Sequence, residues 1–244
     1  MTPAGPPGNC VGCSAPPRPE HPLRPTGGPR QAPADRAGVV WHTAPLQESE
    51  AARRPGAARS CPERLLQGRL VRLCAPRDGD GKALSRWSED GEYRRLADTG
   101  APRPQSPEHF EEGPGQEVLE FRLRTLSDDR LVGFVALFSI EWPNRCGWIA
   151  IGIGDPADRG RGFGREGAEL AIHYAFHELG LHRLTLDVIA DNLPAVGLYR
   201  SLGFREEGRL RERVLREGRW TDLLYLGLLR REWEASAAAS ATGS

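Results

Sequence analysis

Lysine is almost missing from this chain. Lys82 stands alone among 33 basic residues; the rest are arginine. Together with abundant Ala, Gly and Pro, this bias reflects GC-rich coding rather than a dedicated arginine surface. Net charge is missing too: 33 basic residues balance 33 acidic ones. That argues against a nucleic-acid partner held by bulk charge. No apolar run approaches the ~20 residues that a membrane span needs, and the N-terminus lacks a hydrophobic signal core. The expectation is a soluble cytoplasmic protein without membrane partners. The five cysteines are odd in number and irregular in spacing, which excludes a disulfide framework. Cys10 and Cys13 form a lone C-x-x-C, and a zinc site needs about four ligands. His173 and His177 lie four apart on a helical stretch, without the glutamate of an H-E-x-x-H, so no metal is expected.

What is present centres on residues 146–180. Ile149, Ile151 and Ile153 alternate with small residues, which predicts a strand with one bulky face. Asp155-Pro156 ends it in a turn. Arg159-Gly160-Arg161-Gly162-Phe163-Gly164 follows, and its glycines let the backbone bend tightly with N–H groups outward. Ala168, Ala171, Ile172, Ala175 and Leu179 then recur at helical spacing, and Gly180 is placed to end the helix. A strand, a glycine-rich turn and a helix N-terminus make an anion cradle suited to phosphate. The Walker lysine-serine pair is missing, which removes a P-loop NTPase. The turn reads G-x-G-x-G, not the dinucleotide G-x-G-x-x-G.

The run 159–164 resembles the Q/R-x-x-G-x-G/A signature of the GCN5-related N-acetyltransferases. Asn192 through Phe204 resembles the N-x-x-A-x-x-L-Y-x-x-L-G-F run of the same superfamily. The resemblance covers about residues 63–234 and is most like the ribosomal-protein-alanine and spermidine acetyltransferase branch. It implies an α/β acyl-CoA N-acyltransferase fold, with a mixed central sheet of roughly seven strands flanked by helices. It also implies acetyl transfer from acetyl-CoA, as co-substrate, to a primary amine by direct attack in a ternary complex. The acceptor would be a protein N-terminus or a small amine; near-neutral charge does not favour a polyamine. Contacts to acetyl-CoA are implied for Ile151, Ile153, Arg159, Gly160, Arg161, Gly162, Phe163, Gly164, Arg165 and Asn192. A backbone N–H near Ile151 would polarise the thioester carbonyl. Tyr199 matches the tyrosine beside the CoA sulfur and would donate the proton to the leaving thiolate. Asn192 is equally suited to cap the following helix.

Around this centre, residues 1–60 hold 12 of the 21 prolines and read as a disordered extension. The acetyltransferase domain is expected over 61–234, with 235–244 a flexible tail. Strands are predicted over 69–73, 119–125, 131–140, 146–154 and 183–189, with a final hairpin of 208–215 and 220–229. Residues 78–98 read as helical, holding Trp87 and Tyr93, which suit a pocket wall or the core equally. Residues 99–116 read as a loop. Gly152 and Gly154 would leave room for the pantetheine arm. The general base is missing: Trp148 stands where the family often has a glutamate, and an indole cannot accept a proton. That keeps a second reading open, an acyl-CoA-binding sensor or scaffold without turnover.

Overall fold

A computed structural model describes residues 65–111 and 118–242. The proline-rich segment 1–60 lies outside them. Seven strands form one sheet: β1 (Val71–Cys74), β2 (Leu119–Thr125), β3 (Leu131–Glu141), β4 (Cys146–Ile153), β5 (Arg183–Ile189), β6 (Arg205–Arg216) and β7 (Arg219–Leu229). Their spatial order is β1-β2-β3-β4-β5-β7-β6, with β4 and β5 parallel and every other neighbouring pair antiparallel. The seven-stranded sheet flanked by helices is the fold that the sequence implies.

Strand chemistry explains the order. Leu223, Leu224, Leu226 and Leu228 of β7 are buried on both faces, the pattern of an interior strand, and β7 pairs with β5 on one edge and β6 on the other. β6 carries Arg205, Glu206, Glu207, Arg209, Arg211, Glu212 and Arg213, and it takes the edge, where charged side chains stay wet. The two are joined by Glu217 and Gly218, both in the left-handed region (φ 49° and 74°), a turn that matches the strands' twist.

One face of the sheet is covered by α4 (Phe163–His173) and α5 (Leu193–Ser201). Ala168, Leu170, Ala171 and Ile172 of α4 join Leu137, Ile149, Leu184, Leu186 and Leu226 in the main core. The opposite face carries α1 (Asp80–Ser88) and α2 (Gly91–Ala97). The stretch read as helical over 78–98 is thus two helices. Asp90 breaks it, its carboxylate accepting from the N–H groups of Glu92 (3.0 Å) and Tyr93 (3.2 Å). Buried Arg122 on β2 pairs with Glu120, and Arg124 pairs with Asp80 at the start of α1, fastening that helix to the sheet.

Three expectations are corrected. Within the loop predicted over 99–116, Pro107–Glu111 forms a short helix, α3. The tail expected from residue 235 belongs to a helix, α6 (Arg230–Thr242); its alanine-rich composition is a strong helix former. Gly152 and Gly154 do not clear space for a ligand. A Cβ on Gly154 would fall inside the Trp87 indole, and one on Gly152 would meet Phe134 (2.6 Å) and the Tyr93 hydroxyl (2.7 Å). Trp87 is therefore core, 8% exposed, and holds α1 against the end of β4.

Two carboxylates fix the start of α4. Glu166 accepts from the N–H groups of Arg69, Leu70 and Val71, each at 2.7 Å, tying the entry of β1 to the helix. Asp158, 3% exposed, takes both arms of the Arg130 guanidinium (2.5 and 2.8 Å) and also pairs with Arg161 (3.3 Å). The Arg130 bond is the main reason that its carboxyl lies below the usual carboxylate range.

Glu166→Ala strips three N–H groups of a charged acceptor; urea unfolding should show a loss of about 2 to 4 kcal/mol. Asp158→Asn should lower the melting temperature at pH 7. Because the folded pKa is depressed, the stabilisation is present above the unfolded value of about 4 and is lost as pH falls through the folded one. The gap between the two proteins should therefore narrow in melts taken below pH 4.

Candidate active site

The sheet forks between its two parallel strands. β4 and β5 pair only over Cys146–Trp148 and Arg183–Thr185. Beyond Trp148, β4 continues to Ile153 on β3, and β5 continues to Ile189 on β7. Each arm is held by its outer neighbour, so the gap between them stays open.

Ladder parity shows which backbone groups face the gap. The N–H of Gly154 bonds to the carbonyl of Val132 (3.1 Å), in register with the β3–β4 ladder. Alternation then turns Gly152 and Ala150 toward β3, and turns the N–H and C=O of Ile149, Ile151 and Ile153 into the fork. On the other arm, the Ala190 N–H bonds to Asp222 O (2.9 Å) in the β5–β7 register. The same alternation turns the backbone of Asp187 and Ile189 into the fork. The N–H expected near Ile151 therefore belongs to a free strand edge.

At the wide end lies the glycine turn. Gly160 (φ 74°) and Gly162 (φ 89°) occupy the left-handed region, and Gly162 is the N-cap of α4. Among the described residues, no carbonyl or side chain accepts from the amides of Gly160, Arg161, Gly162, Phe163, Gly164 or Arg165. The first bond of the helix runs from Glu166 N–H to Gly162 O (3.0 Å). These donors stand at the positive end of α4's dipole, which is the chemistry of a phosphate site. Gly164 lets the helix approach β4: a Cβ there would lie 3.3 Å from Ile153.

The arginines of the turn are engaged with the protein. Arg159 donates to the carbonyl of Gly154 (2.8 Å), pairs with Asp90 (3.4 Å) and stacks over Tyr93 at 5.5 Å. Arg161 holds Asp158 and lies over Phe163 at 5.0 Å. Arg165 pairs with Glu169 (3.1 Å) and donates to Ser201 Oγ (2.7 Å), joining α4 to α5. Asn192 caps α5, accepting from Ala195 N–H (3.2 Å), and its amide donates to Leu96 O of α2 (3.3 Å). Tyr199, 6% exposed, packs edge-on to Phe204 at 5.7 Å. Burial, and then the charge of Asp187, push its phenol well above the ordinary value, so it stays protonated at neutral pH.

The face opposite α4 is aromatic beside the fork. Half-buried Trp148 lies 6.2 Å from Phe138 and meets Tyr225 edge-on at 5.9 Å. The Arg216 guanidinium donates to the carbonyls of Arg95 (2.8 Å), Asp98 (2.7 Å) and Gly100 (3.0 Å). It clamps the β6–β7 turn onto the end of α2, a link between residues too far apart in sequence to be anticipated. His173 and His177 stack at 4.4 Å away from these groups, and among the described residues no cluster of His, Cys, Asp or Glu could hold a metal ion.

Comparison with known proteins agrees with this geometry. Residues 86–204 match the Acetyltransferase (GNAT) family. The probable N-acetyltransferase YjcK of Bacillus subtilis is 36% identical over 128 residues, 52% of this chain and 70% of that protein. The spermidine N(1)-acetyltransferase of Vibrio cholerae is 36% identical over 103 residues, 42% of this chain and 59% of that protein. A crystal structure of the Vibrio cholerae spermidine N-acetyltransferase in complex with CoA and spermine superposes with a TM-score of 0.61. It is 27% identical and covers 67% of this chain and 98% of the other. A forked sheet, a free-amide turn at a helix N-terminus and these likenesses together place the chain in the GNAT family, and it is an N-acetyltransferase.

Proposed function

We propose that acetyl-CoA lies in the fork between β4 and β5, with its pyrophosphate on the amides from Gly160 to Arg165. The observation that carries this reading is the presence of two sets of unpaired donors on one strand–turn–helix unit. The N–H groups of Ile149, Ile151 and Ile153 face the fork, and the free amides of Gly160 to Arg165 follow after a short bonded stretch in which Arg159 also donates to the Ile153 carbonyl (3.4 Å). An extended pantetheine arm can add to that edge as a strand would. The N–H of Ile151 or Ile149 then faces the thioester oxygen and stabilises the charge that develops on it.

The arginines 159, 161 and 165 fix the shape of the turn through Gly154, Asp158 and Ser201, and the backbone does the binding. Asn192 contributes by holding α5 and α2 in place. Tyr199 is the proton donor to the leaving thiolate. It carries its proton throughout the neutral range, and α5 packs beside the first turn of α4, where Leu198 lies against Gly164. The acceptor is a primary amine that enters over Trp148, Phe138 and Tyr225. Spermidine, the substrate named for a relative, is one probe of this site; a peptide with a free alanine N-terminus is the other.

Acetyl-CoA at 100 times its Kd should add about 2.7 kcal/mol of stability, seen as a rise of several degrees in a thermal melt. ATP and NADH should leave the melt unchanged. Gly162→Val, which forces a branched side chain into the left-handed region, should abolish the rise; an unaltered rise would remove the turn from the site.

Tyr199→Phe keeps the ring and deletes the hydroxyl. Release of CoA thiol should slow about 100-fold, while the rise in melting temperature with acetyl-CoA persists. Undiminished release would remove Tyr199 as the donor.

A further inference from the structure

The reaction needs a group to take the proton from the acceptor ammonium, and Trp148 cannot. The fork supplies a carboxylate on its other arm. Trp148 and Thr185 are the last β4–β5 pair, and Asp187 lies two residues farther along β5, on the same face as Thr185. It stands opposite Tyr225 on β7, whose ring meets Trp148 at 5.9 Å. Its carboxyl thus stands just inside the opening, beside the aromatic floor and across from the free edge of Ile149 and Ile151.

Asp98, the carboxylate that also acts on Asp187, is paired with Arg94 at 3.1 Å, and the acidic residues of β2 and β3 are committed too. Glu120 is paired with buried Arg122, and Glu141, at the far end of β3, accepts from the Asn144 amide at 2.8 Å. Asp187 makes no ion pair within 4.0 Å among the described residues, and it keeps access to solvent although the groups around it partly desolvate its carboxyl. The groups that face it are Tyr225 from β7, Arg213 from β6, Asp98 at the end of α2 and Tyr199 from α5; β4 brings Trp148, which has no charge. The crowding of the recess raises its pKa, with Asp98 adding to the rise. Its own N–H and the more distant Arg213 oppose it. A carboxylate with a raised pKa is a stronger base near neutral pH.

We propose that Asp187 is the general base of this enzyme, a catalytic residue on β5 that replaces the missing carboxylate of β4. The inference rests on the transfer reaction proposed above. Asp187 takes one proton from the acceptor ammonium. The freed nitrogen lone pair forms the C–N bond to the thioester carbon. As the intermediate collapses, the C–S bond breaks and its electron pair leaves on sulfur, which takes the Tyr199 proton. The second proton of the nitrogen restores Tyr199, and Asp187 releases its own to water. The products are the N-acetyl amide, CoA thiol and one proton.

The test is the pH dependence of thiol release with spermidine and with an alanine-initiated peptide, comparing wild type, Asp187→Asn and Asp187→Glu. In Asp187→Asn, kcat/KM at pH 7 should fall about 100-fold or more. The rise in melting temperature with acetyl-CoA should be retained. The deficit should shrink as pH approaches the pKa of the amine, where the neutral form arrives from solution, and Asp187→Glu should recover part of the rate. A deficit that is the same at every pH would mean that Asp187 only supports the structure, and an Asp187→Asn profile matching wild type would remove it altogether; either overturns the proposal. If wild type binds acetyl-CoA yet releases no thiol with either amine, the transfer reading itself falls for these acceptors, and the role of Asp187 falls with it.

Discussion

The structure depends on two parallel strands that part company. β4 and β5 share three residue pairs and then diverge, because each is bonded along its outer edge to a different antiparallel neighbour. An unpaired strand edge inside a sheet is costly when nothing meets it, since buried N–H and C=O groups need partners. Here it opens onto a site where an extended thioester arm can supply them. In the proposed complex the ligand completes this defect in the sheet.

Everything around the fork keeps its geometry fixed. Trp87 fills the place of the missing Gly154 side chain and pins the end of β4. Arg159 holds the carbonyl of Gly154 and reaches Asp90 at the head of α2. Asp158 anchors the turn to Arg130 at the start of β3, and Glu166 anchors the first turn of α4 to the entry of β1. With the turn held from several directions, its amides are set before a phosphate arrives. Preorganised donors of this kind lose little freedom on binding.

The acceptor side is built from other chemistry. Trp148, Phe138 and Tyr225 form an apolar floor, and Asp187 is a carboxylate beside it that makes no ion pair among the described residues. The arms of the fork divide the work: β4 offers backbone donors to the carbonyl, and β5 offers a carboxylate to the amine. Under the proposed mechanism, Trp148 is accommodated because the base is carried by the opposite strand. Arg216 closes the far side by tying the hairpin turn to the end of α2.

Much of this was determined by local sequence. Alternation gave the strands, Gly160 and Gly162 dictated the turn, and the two spaced motifs carried the family, because all of these depend on neighbours a few residues apart. The break at Asp90, the helix at Pro107–Glu111 and the extent of α6 were hidden where capping or alanine content competed with a loop-like composition. Only the tertiary structure decided what long-range register controls. The insertion of β7 between β5 and β6, the packing of Trp87 on Gly154 and the Arg216 clamp join residues far apart in the chain. The same holds for the place of Asp187. In sequence it is one acidic residue of a strand, and it becomes a candidate base because β4 and β5 stop pairing at Trp148 and Thr185. Side-chain alternation names the residues that share a face, and only the pairing of strands says what that face meets.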